Sequence, residues 1–354
     1  MAKILITGAG SAQSNGCINC LLKEGVDEII GTGSDRHDLM FCRAHKRYLV
    51  PHSTQEGYKK ALLKVVAAER PDMIHFQHDA EMAVALAFRD EIETLGPKML
   101  VPDYETIDTC VYKYKSWLKF KAAGIKVPEN MVINTGDDLK RALKELGRGG
   151  KVWLRAMSIG NGGKGSLATA DYEQGFDWIS RHDGWGDFTA AELLTPDSVT
   201  WLSIWYEGEL VVAQTRRRNA WAYSRISVSG ISGLTKVSET VSPPQVDEIA
   251  QKACLAVSEK PHGIYGVDMT YDFSGVPNPT EINISRFFTT IEFFAEAGLN
   301  MPVIFKDLCL YGRKPDLPEK LNPLPDNLLW LRAIDERPIL TTEAEIRKTL
   351  MSVS

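Results

Sequence analysis

Four stretches of this chain hold residue types that handle phosphates, metal ions and carboxylates. One is SIGNGGKGS, residues 158–166. Gly160, Gly162, Gly163 and Gly165 let backbone N–H groups approach a polyphosphate closely, and Lys164 adds positive charge. No Gly-Lys-Ser/Thr opens a helix at the spacing of a Walker loop. The segment lies between strand-like runs, so it reads as a flap over phosphates or as a plain hairpin connection. A second stretch is GVDMTYDFSGVPNPTEINISRF, residues 266–287. Asp268 falls on one strand and Glu281 on the next, with Asn283 two residues on and on the same face as Glu281. Two carboxylates and an amide oxygen are hard donors that suit Mg²⁺ bridging nucleotide phosphates, with Mn²⁺ as an alternative. Arg286 follows, a partner for phosphate or carboxylate. Ile282 and Ile284 alternate with the polar positions, so the same pattern also fits surface acids on an amphipathic hairpin.

A third stretch is TRRRNAW, residues 215–221. Alternation puts Arg216 and Arg218 on one face of a strand and Arg217 on the other. A guanidinium matches a carboxylate with two hydrogen bonds, so this face is a candidate for holding an acid and steadying an acyl phosphate. Arg225 lies on the following segment, and Trp201, Trp205 and Trp221 fit core packing better than a pocket wall. The fourth stretch, HFQHDAE at 75–81, puts His75, His78 and Asp79 at the C-terminal end of a strand, where open α/β sheets bind ligands.

The elements that must carry these groups follow from the apolar pattern. Residues 1–103 alternate short apolar runs at 4–6, 29–30, 48–50, 73–76 and 99–101 with helix-like stretches, most clearly 58–69 and 81–95. That rhythm predicts a parallel sheet covered on both faces. From Tyr104 the rhythm changes. A Lys- and aromatic-rich helix at 113–123 ends at Gly124, then come a strand at 131–133, a helix at 137–146 and a strand at 151–155. Residues 189–242 read mostly as strands, followed by a helix at 246–258 and two strands at 265–272 and 278–283. The divisions expected are 1–103, 104–190, 191–311, and a Pro-rich and then mixed extension, 312–354, packing on the core.

The totals narrow the function. The chain has 354 residues, 44% hydrophobic and 25% charged, with net charge −5 and an isoelectric point near 5.9. An acidic balance lacks the basic footprint of a nucleic-acid binder. The longest apolar runs are far short of a bilayer span, and Gly8 and Gly10 interrupt any leader-like start, so a cytoplasmic location is the default expectation. Six cysteines make no disulfide scaffold. Cys17-x-x-Cys20 and Cys42-x-x-His45 have zinc-compatible spacing but fit apolar packing on a helix better.

The chain opens with KILITGAGSAQSNG, a strand and glycine-rich loop of the kind that holds a dinucleotide. Gln13 stands where a third glycine belongs, although Asp35 is placed like a ribose-binding acid. No Tyr-x-x-x-Lys pair follows in the right context, which weakens an oxidoreductase reading. The loop reads as the top of a scaffold domain, with Ser11 and Gln13 able to touch substrate.

The motifs, taken in order, resemble those of the ATP-grasp superfamily. The similarity is to carboxylate–amine ligases whose ATP-binding half is like the large chain of carbamoyl-phosphate synthase, and it runs to about residue 310. YKYKSWLKFKAAGIKVP resembles the helix with the first ATP-phosphate lysine, which places that role on Lys113. VWLRAMSIGNGGKGS resembles the strand and phosphate flap, with Arg155 where many relatives have Lys. AELL resembles the adenine hinge, with Glu192, Leu193 and Leu194. YGVDMTYD and TEINISRF resemble the metal-binding strands, with Asp268, Glu281 and Asn283 as ligands. Arg286 comes one residue later than the family's E-x-N-x-R. The resemblance implies a Rossmann-like α/β domain followed by a two-lobed α+β ATP-grasp fold. It also implies an ATP- and Mg²⁺-dependent ligase that forms an acyl phosphate from a small carboxylate and joins it to an amine. Carbamoyl-phosphate-type chemistry on bicarbonate, or nucleotide binding without turnover, are the alternatives. A homodimer is compatible with it; nucleic-acid or membrane partners are not expected.

Overall fold

The computed structural model describes residues 1–147, 150–157, 165–223, 233–333 and 338–349. Its N-terminal part alternates β1 (Lys3–Ile6), α1 (Ala12–Leu22), β2 (Glu28–Gly33), α2 (Asp38–Phe41), β3 (Lys46–Leu49), α3 (Tyr58–Glu69), β4 (Met73–His75), α4 (Asp79–Leu86) and α5 (Arg89–Thr94). The four strands form a parallel sheet in the order β3-β2-β1-β4. Ile4, Leu5 and Ile6 are fully buried, as a strand covered on both faces requires.

Two expectations here need correction. Residues 99–101 form no strand; only an isolated bridge joins Met73 to Lys98. Pro97 and Pro102 flank the run and cannot donate to a ladder. The stretch 81–95 is two helices, because the chain leaves helical geometry at Phe88 and turns its ring inward onto Tyr58.

Next come α6 (Tyr104–Val111) and α7 (Lys113–Ala122). They lead into β5 (Asn130–Ile133), α8 (Gly136–Glu145), β6 (Val152–Ala156), β7 (Leu167–Thr169), α9 (Tyr172–Arg181) and β8 (Phe188–Glu192). These four strands make an antiparallel sheet, β5-β8-β6-β7. Helices α8 and α9 cover one face of it, and Thr135 starts α8 with a capping box closed by Asp138.

The remaining elements are β9 (Ser198–Tyr206), β10 (Glu209–Trp221), β11 (Thr235–Thr240), α10 (Pro244–Val257), β12 (Gly263–Tyr271), β13 (Pro277–Ile284), α11 (Glu292–Glu296), α12 (Met301–Tyr311), β14 (Leu329–Leu331), β15 (Ile339–Thr341) and α13 (Glu343–Thr349). Their strands form one antiparallel sheet, β13-β12-β9-β10-β11-β14-β15. The C-terminal stretch therefore does more than pack on the core, since β14 and β15 extend this sheet.

Three apolar cores result. One is confined to the small sheet and its helices, with Ile133, Leu139, Leu154, Ile179 and Phe188 at its centre. The other two each combine residues of the N-terminal sheet with residues of the seven-stranded sheet: Leu5 and Ile30 with Trp201 and Val267, and Ile4 and Ile6 with Leu202, Phe287 and Phe305. No described helix is long and apolar enough to cross a membrane.

Candidate functional site

The acids sit where two neighbouring strands face each other. Asp268 on β12 and Glu281 on β13 are register partners, with an irregularity immediately after Asp268. Ile282 and Ile284 point into the core, which turns Glu281 and Asn283 to the opposite face. Asp268 is buried and accepts a hydrogen bond from Thr200 Oγ1 at 2.7 Å, its register partner on β9. Asn283 donates to Asp268 Oδ2 at 3.2 Å.

Cations from three other elements converge on these acids. Lys113, the first residue of α7, lies 3.0 Å from Glu281 Oε2. Arg155 reaches the same oxygen at 2.5 Å from β6, whose alternate residues Val152, Leu154 and Ala156 fill the small-sheet core. Arg218 on β10 pairs with Asp268 Oδ2 at 3.1 Å and donates to Ser198 Oγ at 3.0 Å. Burial alone would raise the Glu281 carboxyl, but the Lys113 and Arg155 charges outweigh it and hold it well below the usual carboxylate range. Burial lowers the Lys113 ammonium, and Glu281 opposes that.

Arg286 completes the group. Its guanidinium donates to Asn283 Oδ1, and its Nε lies 3.5 Å from Asp79 Oδ2. The residue between Ile284 and Arg286 is Ser285, held in the left-handed region at φ 54°. That kink absorbs the extra residue noted in the sequence and brings Arg286 back beside Asn283.

No protein-family model and no curated protein sequence matches this chain. Solved structures do. The N5-carboxyaminoimidazole synthetase of Staphylococcus aureus, complexed with ADP, aligns with TM-score 0.70 at 16% identity, over 94% of this chain and 82% of its own. The L-amino acid ligase of Bacillus licheniformis gives 0.67 at 10%, over 93% and 79%. The biotin carboxylase domain dimer of Hydrogenobacter thermophilus 2-oxoglutarate carboxylase, with MgADP, ADP and bicarbonate, gives 0.70 at 15%, over 94% and 74%. The chain has the ATP-grasp fold.

Within that ATP-grasp architecture, the sequence-derived residues fall into groups. Lys113, Arg155, Arg218, Asp268, Glu281, Asn283, Arg286 and Asp79 form one connected polar network. His78 starts α4 beside Asp79, 3.7 Å away. Arg216, expected on the same face as Arg218, stands apart from the acids and donates to Thr235, Ser238 and Thr290. Glu192 ends β8; its carboxylate accepts from the Glu129 N–H at 3.2 Å, with Leu193 and Leu194 in the loop beyond. Gly160, Gly162, Gly163, Lys164 and Arg225 lie outside the described residues.

The opening loop has its own bracing. A Cβ on Gly10, at φ 98°, would fall 2.4 Å from the Asp38 backbone, so only glycine fits and the space beside it is filled. Ser11 caps α1, and the Gln13 carbonyl accepts from Gln77. Gln77 was not singled out in the sequence. It is fully buried, and its Oε1 also accepts from the Phe287 N–H at 2.9 Å, which ties the opening loop to the segment that carries Arg286. Thr200 is a further partner of the site, bonded to Asp268, and the alternation of β9 is the sequence signal for it. Trp201 and Trp205 are core residues, and Trp221 lies under the Arg218 guanidinium.

Cys17, Cys20 and Cys42 pack in an apolar core, where burial pushes the Cys17 thiol up to about 12. His45 Nδ1 accepts from the Ile29 N–H. Among the described residues, no group of three or more His, Cys, Asp or Glu side chains could hold a metal ion. The two carboxylates Asp268 and Glu281 with the Asn283 amide are nonetheless a hard-oxygen set on adjacent strands, and that donor chemistry fits Mg²⁺.

Proposed function

We propose that this chain is an ADP-forming ligase that activates a carboxylate with ATP and joins it to an amine. The observation that carries this reading is the single network in which Asp268, Glu281 and Asn283 face Lys113, Arg155, Arg218 and Arg286. Cations of this kind neutralise phosphate and carboxylate oxygens, and acids of this kind hold a divalent ion. Phosphoryl transfer needs positioning and charge neutralisation more than a protein nucleophile.

In this reading Lys113 and Arg155 leave Glu281 for the nucleotide phosphates. The glycine-rich 158–166 segment is assigned to those phosphates, and Glu192 with Leu193 and Leu194 to adenine. Asp268, Glu281 and Asn283 would hold Mg²⁺, which would supply charge stabilisation on the phosphates. Arg218 and Arg286 orient the reacting carboxylate. Its oxygen attacks the γ-phosphorus and the bond to ADP breaks. The amine nitrogen then attacks the acyl carbon, phosphate leaves, and the nitrogen loses a proton. Ser11, Gln13, His78, Asp79 and Arg225 are assigned to substrate contacts.

The test is ADP release with Mg-ATP and pools of carboxylic acids and amino acids. One of the similar structures holds bicarbonate beside MgADP, so bicarbonate belongs among the acids. Release that requires both an acid and an amine supports a ligase. Release with bicarbonate alone favours carboxyphosphate chemistry. Bound Mg-ATP with no ADP from any pair would leave a nucleotide-binding protein without turnover.

A further inference from the structure

Arg216 differs from the other buried and half-buried cations. Lys306 has Asp27, Arg218 has Asp268, and Lys113 and Arg155 share Glu281. Arg216 is 4% exposed and, among the described residues, has no carboxylate within ion-pair distance. Its Nη1 donates to three hydroxyls: Thr235 at 3.5 Å, Ser238 at 3.2 Å and Thr290 at 2.5 Å. Its guanidinium carbon lies 3.9 Å above the Phe288 ring, and among the described residues its Nε has no hydrogen-bond partner. Burial, then the Arg218 charge, lowers its affinity for a proton to about pKa 9; the Asp268 carboxylate, not in direct contact, opposes that, and Arg332 adds to the lowering. Arg332 follows β14 and donates to the Thr289 carbonyl at 3.4 Å.

A buried charge without a counter-charge is costly, and replacing such groups with apolar ones is often neutral or stabilising. Hydroxyls that now accept from Arg216 can rotate to donate to an oxyanion. We infer that Arg216, with Thr235, Ser238, Thr290 and Arg332, forms a second oxyanion pocket. The acid this protein activates then carries two anionic groups. This rests on the ligase reading for the identity of the ligand as substrate, but not for the existence of the pocket. Arg218 and Arg216 are two residues apart on one strand, a separation of roughly 7 Å along it. The reacting carboxylate lies at Arg218 beside Asp268, and the distal group, carboxylate or phosphonate, at Arg216. A short-chain dianionic acid spans that separation; a monocarboxylate does not.

The experiment is a thermal melt of the full chain at constant ionic strength. The probes are succinate, glutarate and 3-phosphonopropionate against propionate and butyrate. The dianions should raise the wild-type Tm and the monoanions should not. A response to glutarate but not to 3-phosphonopropionate assigns the distal group as carboxylate, and the reverse as phosphonate; either supports the pocket. Arg216→Met should melt above wild type without ligand and need about tenfold or more dianion for the same shift. Equal responses to mono- and dianions would overturn the pocket. So would an Arg216→Met protein that melts lower yet keeps the full dianion response. If Arg216→Met does not fold, Thr290→Val and Arg332→Gln decide: a weakened response in either supports the pocket, and unchanged responses in both sink it. Dianion stabilisation that needs Arg216 in a protein releasing no ADP would keep the pocket and remove the ligase reading. ADP release driven by monocarboxylates would do the opposite.

Discussion

Glu281 takes two cations on one carboxylate oxygen, and both come from elements outside its own sheet. Removing its charge takes away the carboxylate that Lys113 and Arg155 share. Glu281→Gln keeps the shape and a hydrogen-bond acceptor, so the fold should persist. Substrate-dependent ADP release should fall about a hundredfold or more, read against an unchanged circular dichroism spectrum. Full activity in that variant would remove Glu281 from the site. His75 offers a second residue-scale test, of stability rather than activity. Its ring is buried between Phe287 and Phe305, at 5.6 and 4.9 Å between centroids, and among the described residues neither nitrogen has a well-formed hydrogen bond, with only a weak opposing pull from Gln77. Burial lowers its pKa from 6.5 to about 3. The unfolded chain therefore binds a proton below pH 6.5 that the folded chain refuses down to about pH 3, and stability falls as pH drops through that window. Between pH 7.5 and 5 the loss from this residue is about 2 kcal/mol. His75→Phe should flatten that limb in urea denaturation; an unchanged acid slope would mean the ring is solvated. At this scale the sequence was informative about acids, because strand alternation separates Glu281 and Asn283 from Ile282 and Ile284. It was silent on partners, since Arg218 meets Asp268 and Arg216 does not, although both lie on one face.

At the scale of elements, the turn after β13 decides where Arg286 points. Ser285 adopts φ 54°, its side chain is buried, and its N–H donates to the Ile264 carbonyl at 2.8 Å. The left-handed region costs a non-glycine residue roughly 1 kcal/mol, and a β-branched one more. Ser285→Gly should thus keep or slightly raise the Tm and retain activity. Ser285→Val should lower the Tm and reduce ADP release by displacing Arg286 from Asn283 and Asp79. Equal behaviour of the two variants would show that the kink does not position Arg286. This turn explains why a motif spaced one residue longer than its family pattern still closes its contacts. Spacing along a chain reports distance only while the backbone stays regular, and a positive φ at serine has no reliable sequence mark. The same limit hid the break between α4 and α5, where no glycine or proline interrupts the helical pattern and the inward turn of Phe88 ends it.

At the scale of the molecule, the order of elements was legible and the distribution of cores was not. Alternating strands and helices announced the parallel sheet, while the antiparallel pairing of the later strands was not legible from their order. Which apolar faces meet depends on contacts between residues about 200 apart, such as Leu5 with the Trp201 cluster, and no local pattern encodes them. The outcome is unequal. The N-terminal sheet shares two cores with the seven-stranded sheet, and Gln77 and Asp79 carry that connection up to Phe287 and Arg286. The small sheet keeps a core of its own and meets the acids through Arg155. A body with a private core can move without disturbing its own packing. Two fragments test this division. Residues 104–354 would expose Leu202, Ile204, Phe287, Phe293 and Phe305 to water once Ile4, Ile6 and Ile18 are gone, so this fragment should aggregate or melt without cooperativity. Residues 126–195 retain β5 to β8, α8, α9 and their whole apolar cluster. A roughly 70-residue unit with one core is marginal but foldable, so this fragment should give a cooperative melt at low temperature, read by Trp178 and Trp185 fluorescence. The opposite pattern, a stable 104–354 and an unfolded 126–195, would mean that the small lobe is held in shape by the rest of the chain and cannot move as a body of its own.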